Sequence, residues 1–163
     1  LENQSLHGAQ KKRERKERTK VIIDRARLEF FRLVKNPLFL IGLSLYLAEG
    51  DKAHERVKFA NSEPKLILVM MRWLRDVCKV PEDKFRIALH IHSLHVRKEV
   101  IKFWSDLTGV SLGQFYKPYV KTSTLRGRRN ILYNGTCSIV VNSRDLFRRI
   151  VGWRMALLDN FCN

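Results

Sequence analysis

Cysteine is scarce in this chain and poorly placed for chemistry. Cys78, Cys137 and Cys162 are odd in number, far apart and form no CxxC pair. That spacing argues against a disulfide framework and against a zinc ribbon, and it points to a reducing, cytoplasmic compartment. Long apolar runs are missing as well. The longest, over residues 37–48, falls short of the roughly 20 residues a membrane-spanning helix needs, so it reads as a buried helix and no membrane partner is expected. Acid is short relative to base: 16 Asp and Glu stand against 32 Lys and Arg, a formal charge of +16. Such a field attracts polyanions and speeds encounter with them, which makes nucleic acid the leading partner class, ahead of an anionic membrane surface. No signal-peptide pattern precedes the first apolar segment and the first residue is Leu1, so we expect processing or a longer parent chain with a domain upstream. There is no internal repeat.

What is present describes a folded body. At 45% hydrophobic residues over 163 positions, the chain is too apolar for disorder and long enough for one core. Residues 1–20 are polar, and the run 11–20, KKRERKERTK, has nothing to bury. It is expected to be a frayed helix or a disordered arm, its charge divided between ordinary solvation and contact with phosphate. Apolar residues return over 21–34 at helical spacing. We therefore divide the chain into a basic arm and linker helix, residues 1–36, and a domain, residues 37–163.

Pro37 suits the first turn of a helix, and LFLIGLSLYLA after it is apolar on all sides, so the helix should be buried all round. Residues 56–61 alternate as a half-buried strand, with Arg56 and Lys58 on one face. Asn61 or Ser62 can cap a helix through about residue 80, with Pro64 in its first turn. The cleanest alternation is KFRIALHIH: Phe85, Ile87, Leu89 and Ile91 form an oily face, and Lys84, Arg86, His90 and His92 a basic one. A helix over 96–107 follows, then an extended stretch over 114–121 that carries Lys117 and Lys121. The loop KTSTLRGRRN adds Arg126, Arg128 and Arg129. A strand over 131–141 and a helix capped by Ser143 and running through about residue 159 complete the reading. Trp73, Trp104 and Trp153 fall among aliphatic residues on expected helices and are assigned to the core. His90 and His92, with His95 nearby, have no acid or cysteine at ligand spacing and are read as polar sheet-face residues rather than a zinc site.

The segment GLSLYLAEG, residues 42–50, ends a helix in an acid and a glycine. Ser44 and Ala48 are four apart, share a face and let a partner helix come close. Glu49 sits in the last turn, where its charge opposes the helix dipole and calls for another explanation. Gly50 is expected to take a positive φ that turns the chain into a strand. Two such helices crossing at Ser44 and Ala48 would bring two Glu49 carboxylates together, an arrangement that is costly unless a cation lies between them.

This segment resembles the motif of the LAGLIDADG homing endonuclease family: Leu45, Ala48 and Gly50 agree in place, Ser44 stands for the small third residue and Glu49 for the acid. It is closer still to a group of prokaryotic single-motif proteins that write the motif as LYxxEGxK, here LYLAEGDK, residues 45–52. FANSEP, RWLR, HIH, FWSDLTGV and YNGTC follow in the same order. The resemblance spans residues 37–153. It implies an α+β fold with an αββαββα core, in which a curved antiparallel sheet forms a saddle on duplex DNA. The first strand would be confined to about residues 50–53, and the helix over 96–107 would be an insertion. It further implies a homodimer that joins through Ser44 and Ala48, and Mg²⁺ or Mn²⁺ held by Glu49 and the carbonyl of Gly50 for phosphodiester hydrolysis. The expected DNA-contacting set is Lys52, Arg56, Lys58, Lys84, Arg86, His90, His92, Lys117, Lys121, Arg126, Arg128 and Arg129. Two alternatives stay open: a regulator of the same fold that binds DNA without cutting it, and a basic RNA-binding factor.

Overall fold

The computed structural model describes residues 2–93, 97–121 and 134–162. The fold is α+β, with a four-stranded sheet and five α-helices among the described residues. The N-terminal segment is one continuous helix, α1 (Glu2–Leu33), and not the frayed or disordered arm expected of residues 11–20. Arg, Lys and Glu are good helix formers, and distant acids anchor the helix: Arg15 pairs with Glu55 at 2.9 Å and Arg18 with Asp145. Farther along, Ala26 and Phe30 are buried in the common core.

Helix α2 (Pro37–Glu49) begins as its sequence suggests, with Pro37 at its first position and the Asn36 side chain accepting from the backbone N–H groups of Leu38 and Phe39. It is not enclosed on every side. Phe39, Gly42, Leu43 and Tyr46 are buried, with Trp73 packed against Gly42, while Ile41, Ser44, Ala48 and Glu49 are exposed. Gly50 has φ −72° and ψ 150°, so the turn out of the helix needs no positive φ. Glycine is required there for space, because a Cβ would strike the carbonyl oxygen and ring of Tyr46.

Strand β1 (Val57–Asn61) leads to α3 (Pro64–Arg72), which continues through a π-helical turn at Trp73–Val77. A 3-10 turn at Glu82–Lys84 precedes β2 (Phe85–His92), so Lys84 stands just outside the strand. Helix α4 (Arg97–Thr108), a second 3-10 turn at Leu112–Gln114, β3 (Tyr119–Lys121), β4 (Thr136–Val141) and α5 (Arg144–Phe161) follow. The expected strand over 131–141 is seen from Thr136. Its start at 131–133 lies outside the described residues, as does the loop with Arg126, Arg128 and Arg129.

The strands are ordered β1-β4-β2-β3. Both β1 and β2 run antiparallel to β4, but β3 is parallel to β2, so the sheet is mixed and not wholly antiparallel. The reason is connectivity: the long crossover through α4 returns the chain to the edge of β2 in the same direction. The expected first strand shrinks to one bridge, Gly50 to Phe59, and a hydrogen bond from Asp51 N–H to the Lys58 carbonyl at 2.9 Å. One sheet face, with Phe59, Phe85, Ile87, Leu89 and Ile139, packs with the helices into the core together with the three tryptophans, all fully buried. Each large side chain buried in this way contributes about 2–3 kcal/mol.

A candidate nucleic-acid interface

The second sheet face carries the polar residues, and its rows follow from register. Lys58 and Arg86 flank Val140 in one row, and Ala60 and Ala88 flank Ser138 in the next. Beyond them His90 sits between Thr136 and Tyr119, and His92 is opposite Lys121. Small side chains thus floor the middle of this face, with cationic or ring-bearing side chains on either side. Ser138 and Val140 on the central strand are buried, whereas Lys58, Ala60, Arg86 and Ala88 are half-buried and His90 is exposed. Arg86 donates to the carbonyls of Asp83 and Phe85, both at 2.7 Å, which draws its head toward the end of the strand. The His90 ring lies 5.4 Å from that of Tyr119.

Other members of the expected DNA-contacting set are dispersed. Lys52 is exposed in the loop after α2, and Lys117 is exposed before β3. Arg56 is half-buried near Asp51, 3.9 Å from its carboxylate, and its Nε is buried without a hydrogen-bond partner. Lys84 pairs with Asp83 at 3.0 Å. The sheet therefore gathers Lys58, Arg86, His90, His92 and Lys121, while Lys52, Lys84 and Lys117 stand on the loops around it.

At the other functional element, α2 runs directly into the edge of this sheet. Ile41, Ser44 and Ala48 recur at spacings of three and four, so they form one exposed stripe, and Glu49 borders it in the final turn. Among the described residues Glu49 has no hydrogen-bond or ion-pair partner. The loop behind it is tightly built. Tyr46 donates its hydroxyl proton to the Asp51 carbonyl at 2.9 Å, and burial pushes the pKa of that phenol up to about 12. The Asp51 carboxylate accepts from the N–H groups of Ala53 and His54 and contacts the His54 ring at 2.8 Å. Desolvation raises the Asp51 pKa, but these hydrogen bonds outweigh it and hold the carboxyl below its ordinary value.

Tyr46 and Asp51 do not stand out in the sequence, although both position the acid-bearing turn. A signal for Asp51 is present: a carboxylate two and three residues before free backbone N–H groups is the pattern of an Asx turn. Tyr46 looks like one more apolar letter of a buried helix.

Glu49, unpartnered among the described residues, and the neighbouring Gly50 carbonyl offer two oxygens of the kind that suits a hard cation, fewer than the roughly six such a cation takes. Among the described residues no group of three or more His, Cys, Asp or Glu could hold a metal ion. No helix among them is long and apolar enough to cross a membrane. The chain matches no protein-family model, no curated protein and no solved structure.

Proposed function

We propose that this chain is a homodimeric double-stranded-DNA-binding protein of the LAGLIDADG type and acts as a divalent-metal-dependent endonuclease. The observation that carries the reading is the uncovered stripe of α2. A helix this apolar leaves Ile41 at 52% exposure alongside the small residues Ser44 and Ala48, with an unpartnered acid at its end. A second copy laid on the stripe covers the apolar surface, and the small side chains let the two helices approach closely. It also brings a second Glu49 to the first, which completes a set of oxygen ligands that one chain lacks.

In that dimer each Glu49 and Gly50 carbonyl would hold Mg²⁺ or Mn²⁺ at the sheet edge. Bound there, the ion lowers the pKa of water and stabilises charge on the leaving oxygen. The chain's own contribution is positional. Tyr46 and Asp51 fix the turn behind Glu49, and the Lys58 and Arg86 row offers phosphate contacts one strand away. Because the dimer is twofold, it favours a pseudo-palindromic duplex.

The test is incubation of the purified chain and its Glu49→Gln variant with a randomised duplex library and Mg²⁺ or Mn²⁺. Cleavage by the wild type and at least roughly a hundredfold less by the variant is expected, with duplex affinity retained in both. Tight duplex binding with no cleavage by either protein would instead identify a non-cutting regulator. A preference for structured RNA over duplex at matched salt would displace both.

A further inference from the structure

A second concave surface lies away from the stripe of α2 and from Glu49. It is a groove of about 1240 Å³ between α1, the α3-to-β2 connection and the start of α5. One wall is the outer face of α1, where Arg18, Val21, Arg25, Leu28 and Arg32 follow one another at spacings of three, four, three and four. That is the repeat by which one helix presents a seam to another. All five are exposed, Val21 at 48% and Leu28 at 74%. The opposite wall brings Lys79, Val80 and Pro81, followed by Lys84 and Arg86. Ile22 and Leu146 are aliphatic parts of the lining.

Charge in the groove is lopsided. Its three acids are already engaged: Glu29 with Arg149 and Arg32, Asp83 with Lys84, and Asp145 with Arg18 and Arg148. Arg25 and Lys79 have no ion-pair partner among the described residues. Lys79 has φ +59°, the single non-glycine residue with positive φ among those described, and this left-handed turn ends the π-helical segment, with the Val80 N–H donating to the Leu74 carbonyl at 3.0 Å.

We infer that this groove docks an acidic amphipathic helix of a partner protein. The occupant must satisfy two features at once. Arginines alternate with aliphatic side chains on the α1 seam, Arg25 unpaired among the described residues and Arg18 and Arg32 each sharing an acid of this chain, so a helix carrying acids and aliphatics on the same repeat meets cations and aliphatics in turn. Nucleic acid satisfies only the first: duplex phosphates meet the cations but leave the aliphatic Val21 and Leu28 uncovered, and no aromatic ring lines the groove to stack an unpaired base. A second copy of this seam would set arginine against arginine and is disfavoured by like charge. The groove shares Lys84 and Arg86 with the expected DNA-contacting set, but its α1 seam and its wall at residues 79–81 belong neither to the polar sheet face nor to the stripe of α2.

The probe is a fluorescein-labelled synthetic helical peptide with Leu and Glu on a three-four repeat, compared with a scrambled peptide of equal composition. Anisotropy is recorded on the full chain and on an Arg25→Glu, Leu28→Glu double variant, whose sites are exposed and outside the core. We expect the patterned peptide to bind about tenfold more tightly than the scrambled one, and the double variant to lose at least that factor. In the wild-type chain, methyl resonances of Val21, Leu28, Val80 and Leu146 should shift on binding. Equal binding of the scrambled peptide, unchanged binding by the variant, or peptide-induced shifts confined to other methyls would each overturn the inference. So would displacement of the peptide by duplex DNA with shifts of the same four residues, which would make the groove a nucleic-acid channel.

Discussion

Glu29 shows how a single side chain decides where a helix sits. Its carboxylate accepts from Arg149 at 2.8 and 2.5 Å and from the Trp153 indole N–H at 3.1 Å, and the Arg149 guanidinium lies over the Trp153 ring at 4.6 Å. Burial raises the pKa of Glu29, but these donors outweigh it and hold the group below its ordinary 4.5. A carboxyl whose pKa is depressed by folding contributes stability that is fully present above its unfolded pKa and lost as the pH falls through the folded value. Stability should therefore hold from neutrality down to about pH 5 and then decline. Glu29→Gln should cost about 2 kcal/mol at pH 7, the range of hydrogen bonds to charged groups, and the gap to wild type should be smaller at about pH 4, below the ordinary carboxyl value. Urea titrations of both proteins at the two pH values measure this; an equal gap at both would show that packing and not charge carries the interaction.

At the level of elements, α1 is held along α5 by close backbone approach as well as by ions. A Cβ on Gly152 would meet the Ala26 Cβ and the Ile23 carbonyl oxygen, both at 2.6 Å. Gly152→Ala should thus lower stability by about 2 kcal/mol, the usual range for overpacking, even though alanine is the better helix former. Thermal melts of the two proteins check it, and a melting temperature raised by the substitution would contradict the packing described. Much at this scale is legible in sequence. The alternation over 84–92, the cap at Ser143 and the proline at the start of α2 each encode a local preference, and each element is where they place it, save that β2 begins one residue later, at Phe85. The continuous α1 is not legible in its first half, because the acids that anchor Arg15 and Arg18 lie at positions 55 and 145. The parallel β3 is hidden for a similar reason: pairing across a crossover leaves no local trace.

The whole molecule sets its excess of base against an acid-ended helix. Sequence alternation assigns Arg56, Lys58, Arg86, His90 and His92 to polar strand faces, but it cannot reveal that β4 lies between β1 and β2 and aligns Lys58 with Arg86 across Val140. That register makes the pair a single row. If the row binds phosphate, a Lys58→Ala, Arg86→Ala double variant should bind duplex DNA more weakly and reduce the slope of log affinity against log salt by about 2, close to one for each phosphate no longer neutralised. Titrations over a series of salt concentrations measure this, and an unchanged slope would place the DNA elsewhere. Glu49 is visible from sequence as an acid in an awkward position on a helix. Its exposure and its lack of a partner among the described residues are not, because they depend on which side of α2 the core takes.

The proposal as a whole depends on two copies meeting through Ile41, Ser44 and Ala48, and the mass in solution tests that most directly. Sedimentation equilibrium should give twice the 19.2 kDa of one chain for the wild type at micromolar concentration, where a specific dimer of ordinary affinity is populated, and a single chain for Ala48→Arg with its fold intact. A wild-type mass of one chain, both alone and with a duplex that it binds, would contradict the shared site.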